Sequence, residues 1–191
     1  MGKHPNDLEV ELIHPWLRQS HIVLDLGCGQ TGKNSIRLAK MCGYVVGVDH
    51  KIPSTPMKNV TWIQQDVRAC TKKLRPDTMF HFVQARLLLQ SLPKEDALAM
   101  LRALAGHVRT GGRVYVLTWF QQPSGSFPTH RRTPEGDFEP WTFYRSDEII
   151  STFPDWRVVW EEESKHFGKG RHTGEFHNFF ATAVILERPR P

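Results

Sequence analysis

The chain has little that would span, staple or repeat. Its longest apolar runs are too short to cross a bilayer. The stretch from Met1 to Asp7 lacks the apolar core of a signal peptide. Cysteine occurs three times, an odd number without metal-ligand spacing. That argues against a disulfide framework and a metal centre, and for reduced thiols in a cytoplasmic protein. No repeat or low-complexity segment interrupts the 191 residues, a length that suits a single domain over 1–191 with a substantial core. The net charge of +5 permits an anionic partner without requiring one. The basic residues are scattered apart from His130-Arg131-Arg132 and the tail from Arg188, and read as a solvated surface.

What is present is concentrated between His21 and Ser35. Ile22, Val23, Leu24 and Leu26 form the short apolar run of a strand buried in a parallel sheet. Gly27, Gly29 and Gly32 free the backbone for a tight turn and for close approach of a ligand. From Lys33 the pattern turns helical, with Ile36, Leu38, Ala39 and Met41 on one face and Cys42-Gly43 at the stop.

Taken literally, the three glycines match a dinucleotide loop. Asp25, at the end of the strand beside the turn, argues against one, because it would repel a doubly anionic pyrophosphate. S-adenosylmethionine has no phosphate; it carries an ammonium and a sulfonium, which a nearby acid suits. Asp49 ends the next apolar strand, Tyr44 to Asp49, about twenty residues past the glycines, where this fold places an acceptor for ribose hydroxyls.

Val23-Leu24-Asp25-Leu26-Gly27-Cys28-Gly29 resembles motif I of the class I S-adenosylmethionine-dependent methyltransferases. The family more often has its third glycine where this chain has Thr31, so Gly32 comes one place late. The resemblance implies a cofactor bed of Asp25, Gly27, Cys28, Gly29, Thr31, Gly32, Asn34, Asp49 and His50. It also implies that Asp66 and Val67, after a third strand over Val60–Ile63, meet the adenine. Cys28 reads as a small packing residue and not a nucleophile.

The fourth strand, Met79 to Val83, ends at Gln84, Ala85 and Arg86. Ligands sit beyond the carboxyl ends of such strands, which makes Gln84 a cofactor candidate and Arg86 a candidate for holding an anionic acceptor, or a partner for a surface acid. A helix begins at Pro93 with Leu98, Leu101, Leu104 and Ala105 as its buried stripe. A fifth strand follows over Val114–Leu117. Residues 121–143 form a Gly-, Pro- and Ser-rich loop that reads as a pocket rim. Tyr144 to Phe153 reads as a helix with Ser146 at its N-cap. Trp156–Glu163 and Phe176–Glu187 are the last strands, joined by 164–175. Residues 1–20 are either a lid over the cofactor or a packing helix.

Strands alternating with helices, then a terminal pair, predict an α/β doubly wound (Rossmann-like) seven-stranded sheet, mostly parallel, with an antiparallel C-terminal hairpin strand and helices on both faces. The charged loop with His166 and Arg171, followed by Phe179-Phe180-Ala181-Thr182, is similar to the tellurite-resistance (TehB-like) methyltransferases. That likeness implies a small, soft acceptor such as a thiol or a selenium or tellurium oxyanion, with His166 and Arg171 shaping its site. Three alternatives stay open at this point: an RNA methyltransferase, a nicotinamide dehydrogenase, and a binding protein that keeps the fold without catalysis. The first lacks a basic stripe with interleaved aromatics.

Overall fold

The computed structural model describes residues 12–121, 130–132, 137–169 and 176–190. The chain opens with β1 (Ile22–Leu26), α1 (Lys33–Leu38), β2 (Tyr44–Asp49), β3 (Val60–Gln64), α2 (Val67–Lys73) and β4 (Phe80–Arg86). A short 3-10 turn at Leu89–Ser91 leads to α3 (Lys94–Ala105) and β5 (Val108–Gln121). After β5 come two short strands, β6 (His130–Arg132) and β7 (Phe138–Pro140). The chain then forms α4 (Ser146–Ile150), β8 (Arg157–Lys169) and β9 (Phe176–Glu187).

Seven strands make one sheet in the order β3-β2-β1-β4-β5-β9-β8, as the alternation predicts. β1 pairs in parallel with β2 on one side and β4 on the other. The chain therefore runs outward from β1 to β3 and restarts at β4. The switch point between β1 and β4 opens a crevice beyond their carboxyl ends. β9 is antiparallel and is inserted between β5 and β8.

The period of two in each strand separates two cores. Leu24, Leu26, Val83, Ala85, Val114 and Val116 face α2, α3 and α4, and all are fully buried. Val23, Phe82, Tyr115 and Ile185 face the opposite side, where Leu38 of α1 and Ile13 and Leu17 of the entering segment cover them. Each such aliphatic side chain contributes about 1.5–3 kcal/mol by leaving water. By alternation Asp25 belongs to the second, apolar layer. Its neighbours in register are Gly47 of β2 and Gln84 of β4.

Several boundaries differ from the pattern-based reading. β8 continues to Lys169, so the expected connector at 164–175 begins as strand: Lys165 pairs with Phe180 and His166 with Phe179. β5 last pairs with β9 at Gln121 and Phe180. Beyond that point β8 and β9 continue as a two-stranded arm past the carboxyl end of β5. The helix expected over 144–153 is the five-residue α4, with Arg145 at its N-cap instead of Ser146. Glu148 Oε2 accepts from the Arg145 N–H at 2.9 Å, and Glu163 Oε1 from the Ser146 N–H at 2.7 Å. Tyr144 is drawn into the core, its hydroxyl donating to the Leu89 carbonyl at 3.1 Å.

Part of the expected rim loop, 130–132 with 138–140, is a small ribbon. Of the expected lid, residues 12–20 pack Ile13 and Leu17 into the core, and residues 1–11 lie outside the described ones. Among the described residues no helix is long and apolar enough to cross a membrane.

Candidate active site

β1 leaves the sheet through Gly27, at φ 73°, a left-handed conformation that costs a side-chain-bearing residue about 1–2 kcal/mol. The Gly27 and Cys28 N–H groups donate to the Val48 carbonyl at 2.8 and 3.2 Å, which ties the turn to β2. A Cβ on Gly29 would meet nothing within 4 Å, so the loop presents bare backbone to open space there. The Gly29 N–H donates to Asp49 Oδ2 at 2.9 Å, and the Lys51 N–H to Asp49 Oδ1 at 3.0 Å. His50 Nδ1 lies 2.9 Å from the same Oδ1. A carboxylate has about four acceptor positions, so Asp49 keeps capacity for a further donor.

The late third glycine has a packing cause. A Cβ on Gly32 would stand 2.4 Å from Trp62 and 2.7 Å from Pro53, and one on Gly47 would stand 2.7 Å from the same indole. Trp62 of β3 thus lies across the glycine of β2 and reaches the start of α1. Thr31, where the family more often has the glycine, is exposed.

Asp25 is 1 % exposed, and a carboxylate so placed needs partners. Ser35 Oγ of α1 donates to its Oδ2 at 2.5 Å and Gln84 Nε2 to its Oδ1 at 3.2 Å. Gln84 is fully buried, and its Oε1 has no hydrogen-bond partner among the described residues. Arg86 Nη1 donates to Asn34 Oδ1 at 3.1 Å, joining the end of β4 to α1. Immediately after it, Leu87 takes φ 51° and is 47 % exposed. A non-glycine residue in that region stores strain of order 1–3 kcal/mol, and such strain clusters at ligand sites.

Asp66, expected at the adenine, caps α2. Its Oδ1 accepts from the Arg68 N–H at 2.8 Å and its Oδ2 from Arg68 Nε at 2.9 Å. The Arg68 side chain, helped by the backbone hydrogen bond, holds the Asp66 carboxyl below the usual range, against some opposing burial. Val67 points its side chain into the core. Cys28 is buried, and burial together with Asp25 and Asp49 pushes its thiol up to about 12, which suits the packing role.

The structure thus brings Asp25, Gly27, Gly29, Gly32, Asn34, Asp49, Gln84 and Arg86 together at one end of β1, β2 and β4. Ser35 and Trp62 complete this end and were not legible as site residues. On the neighbouring side Trp119, at the end of β5, meets Trp141 edge-on at 4.8 Å between centroids. Thr118 Oγ1 donates to Gln90 Oε1 at 3.0 Å, and the Tyr144 N–H to the Trp119 carbonyl at 2.8 Å. His166 sits on the β8–β9 arm, and Arg171 lies outside the described residues. Among the described residues no three His, Cys, Asp or Glu are placed to hold a metal ion.

Residues 23–112 match the family described as methyltransferase domain. Over 99 residues the chain is 34 % identical to the cypemycin N-terminal methyltransferase of a Streptomyces species, a match that spans 49 % of this chain and 40 % of that protein. A SAM-dependent methyltransferase from Methanosarcina mazei superposes with a TM-score of 0.67 at 16 % identity, over 95 % of this chain and 98 % of that one. TehB from Haemophilus influenzae does so at 0.66 and 16 % identity, over 97 % of this chain and 62 % of that one. At such identity the likeness is one of fold.

Proposed function

We propose that this chain, built on the class I methyltransferase fold and carrying the methyltransferase-domain signature over 23–112, is an S-adenosylmethionine-dependent methyltransferase with a small-molecule acceptor. The observation that carries the reading is the pairing of open backbone at Gly29 with Asp49, whose carboxylate grips the loop and keeps acceptor capacity. A pyrophosphate would meet that carboxylate at the loop, with the charge of buried Asp25 behind it; a ribose and an ammonium suit both.

The buried Gln84 Oε1 is an acceptor in want of a donor, which an ammonium supplies. Asp49 accepts the ribose hydroxyls, and the Gly27–Gly29 backbone allows the ligand to lie against the main chain. Asp66 and Val67 border the adenine, with Asp66 held in place by Arg68. When bound, the cofactor supplies an electrophilic methyl group on a cationic sulfur.

The residues around it align the acceptor and exclude water, effects worth up to several kcal/mol. A soft nucleophile, a thiol or a selenium or tellurium oxyanion, needs no strong base. His166, on the arm past β5, is the residue we assign to hold a proton for an acceptor that does need one. Arg86 and Arg171 are the cations assigned to an anionic acceptor, with Arg86 anchored through Asn34. The curated relative named as an N-terminal methyltransferase makes an α-amine the second acceptor class to try.

Calorimetric titration with S-adenosylmethionine, S-adenosylhomocysteine and NAD tests the reading. Micromolar binding of the first two is expected, and NAD binding alone would overturn it. Acceptor screening then begins with thiols and the two oxyanions. His166→Ala should keep cofactor affinity and lower turnover; unchanged turnover removes His166 from the site. Cofactor binding with no turnover on any acceptor class would favour a protein that only binds.

A further inference from the structure

The amino ends of the strands hold a second concavity, away from the glycine loop. It is a cavity of about 480 Å3, lined by Arg18, Arg109 and Arg190, by His21 and His81, and by Trp16. Four separate parts of the chain build it. Arg18 and His21 precede β1, His81 lies near the start of β4, Arg109 near the start of β5, and Arg190 follows β9. The antiparallel direction of β9 delivers the tail to this end.

Among the described residues no carboxylate lines the cavity. Arg109 and Arg190 form no ion pair among the described residues, while Glu187, near the end of β9, is taken by Arg113 and Arg157, each at 2.8 Å. Arg18 is held in place by the Pro15 and Leu17 carbonyls. The His21 and His81 rings stack with centroids 4.6 Å apart and planes 12° apart. His81 Nδ1 accepts the Ile22 N–H at 3.0 Å, so its proton sits on Nε2 and is available to donate. His21 Nδ1 is buried with no hydrogen-bond partner. Three arginines line one cavity, and among the described residues no carboxylate of the lining pairs with them. Each guanidinium fork matches the oxygens of a phosphate in two parallel hydrogen bonds. The volume falls within the range of small-molecule sites, roughly 300–1,000 Å3.

We propose that this cavity binds a small molecule carrying more than one phosphate group, at a site separate from the cofactor bed and on the opposite end of the sheet. Bound there, the anion bridges Arg18 on the entering segment, Arg109 at the base of β5 and Arg190 on the tail. It therefore ties the two ends of the described chain to the sheet and stabilises the fold by mass action. Inorganic pyrophosphate and ADP share the recognised group. Trp16 and the histidine stack form an apolar wall that only the nucleotide would use.

The test is calorimetry and thermal unfolding of the full chain with inorganic pyrophosphate and with ADP. The proteins are the wild type, Arg109→Gln, Arg190→Gln and Lys58→Gln, the last a control at an exposed residue outside the cavity lining. Saturable binding of pyrophosphate with a rise in Tm is expected. Each arginine variant should weaken it about tenfold, and Lys58→Gln should leave it unchanged. Arg109 and Arg190 are exposed, so their variants should unfold without ligand at the wild-type temperature. Tighter binding of ADP assigns a nucleotide, and equal binding assigns the phosphates alone. The proposal falls if the wild type shows no saturation by pyrophosphate up to on the order of 10 mM. It falls equally if all three variants weaken binding alike, or if a single-stranded oligonucleotide binds where pyrophosphate does not.

Discussion

At the carboxyl ends of β1 and β2 the buried acids are Asp25 and Asp49, and the chain itself holds both in place. Asp25 is held by Ser35 and Gln84, and Asp49 by two backbone N–H groups. At the amino ends of the same sheet arginines and histidines line a cavity, without a carboxylate in it among the described residues. The difference separates two uses of charge. A carboxylate held by hydrogen bonds from the chain is a fixed instrument, positioned before any ligand arrives. A group of arginines around one cavity without a carboxylate among the described residues leaves room for an anionic ligand.

The largest effect should come from breaking the acidic end mechanically. Gly32→Val would push a branched side chain into Trp62 at a left-handed φ of 55°. A loss of about 3 kcal/mol or more is expected in denaturant unfolding; a loss within about 0.5 kcal/mol would mean that Trp62 moves freely.

Asp49→Ala should follow. It removes the acceptor of the Gly29 and Lys51 N–H groups together with the proposed ribose contact, and should weaken S-adenosylhomocysteine about a hundredfold by calorimetry. Asp25→Ala strands a buried hydroxyl and a buried amide, at about 2 kcal/mol in the same unfolding assay, and Asp25→Asn should cost less. Asp66→Asn is expected to be milder still: it keeps an N-cap acceptor, loses the charge that Arg68 pairs with, and should lower stability by about 0.5–1 kcal/mol.

The smallest effect sharpens the basic end alone. Burial, aided by neighbouring charges, holds His21 and His81 below 6.5, the first also through His81 and Arg18 and the second through Arg109. A base whose folded value is lowered stabilises the fold while neutral. Its contribution is complete above 6.5 and is lost as pH falls through the folded values. Asp66 works at lower pH: held below 3.8, it contributes above that value and loses the contribution as pH falls through its own. Tm should therefore decline modestly between pH 6.5 and about 5, before the carboxylates titrate. A Tm that rose over that interval would break the assignment of neutral, half-buried histidines.

The acidic end was legible in the sequence to the extent that its chemistry is local. Asp25 and the glycines are consecutive or nearly so, and Asp49 follows at the distance one strand–helix–strand unit imposes. Ser35 was invisible as a partner of Asp25 because nothing local says which face of α1 meets β1. Trp62 read as an ordinary strand residue, since its reach over Gly47 and Gly32 depends on β3 lying beside β2. The hairpin arm was missed because residues 164–169 are polar and histidine-bearing. Pairing with β9 makes them a strand; their own preferences do not.

The basic residues carried a different lesson. Spread along the chain they read as a solvated surface, and Arg18, Arg109 and Arg190 are exposed as that reading expects, yet the three line one cavity. By itself the order of residues determined the alternation of strands and helices, the glycine turn and the acids at the strand ends, because each is written in neighbours a few positions apart. Only the tertiary structure decided that Arg18, Arg109 and Arg190 share a space. That convergence follows from strand order and from the reversed β9, which bring together positions far apart along the chain.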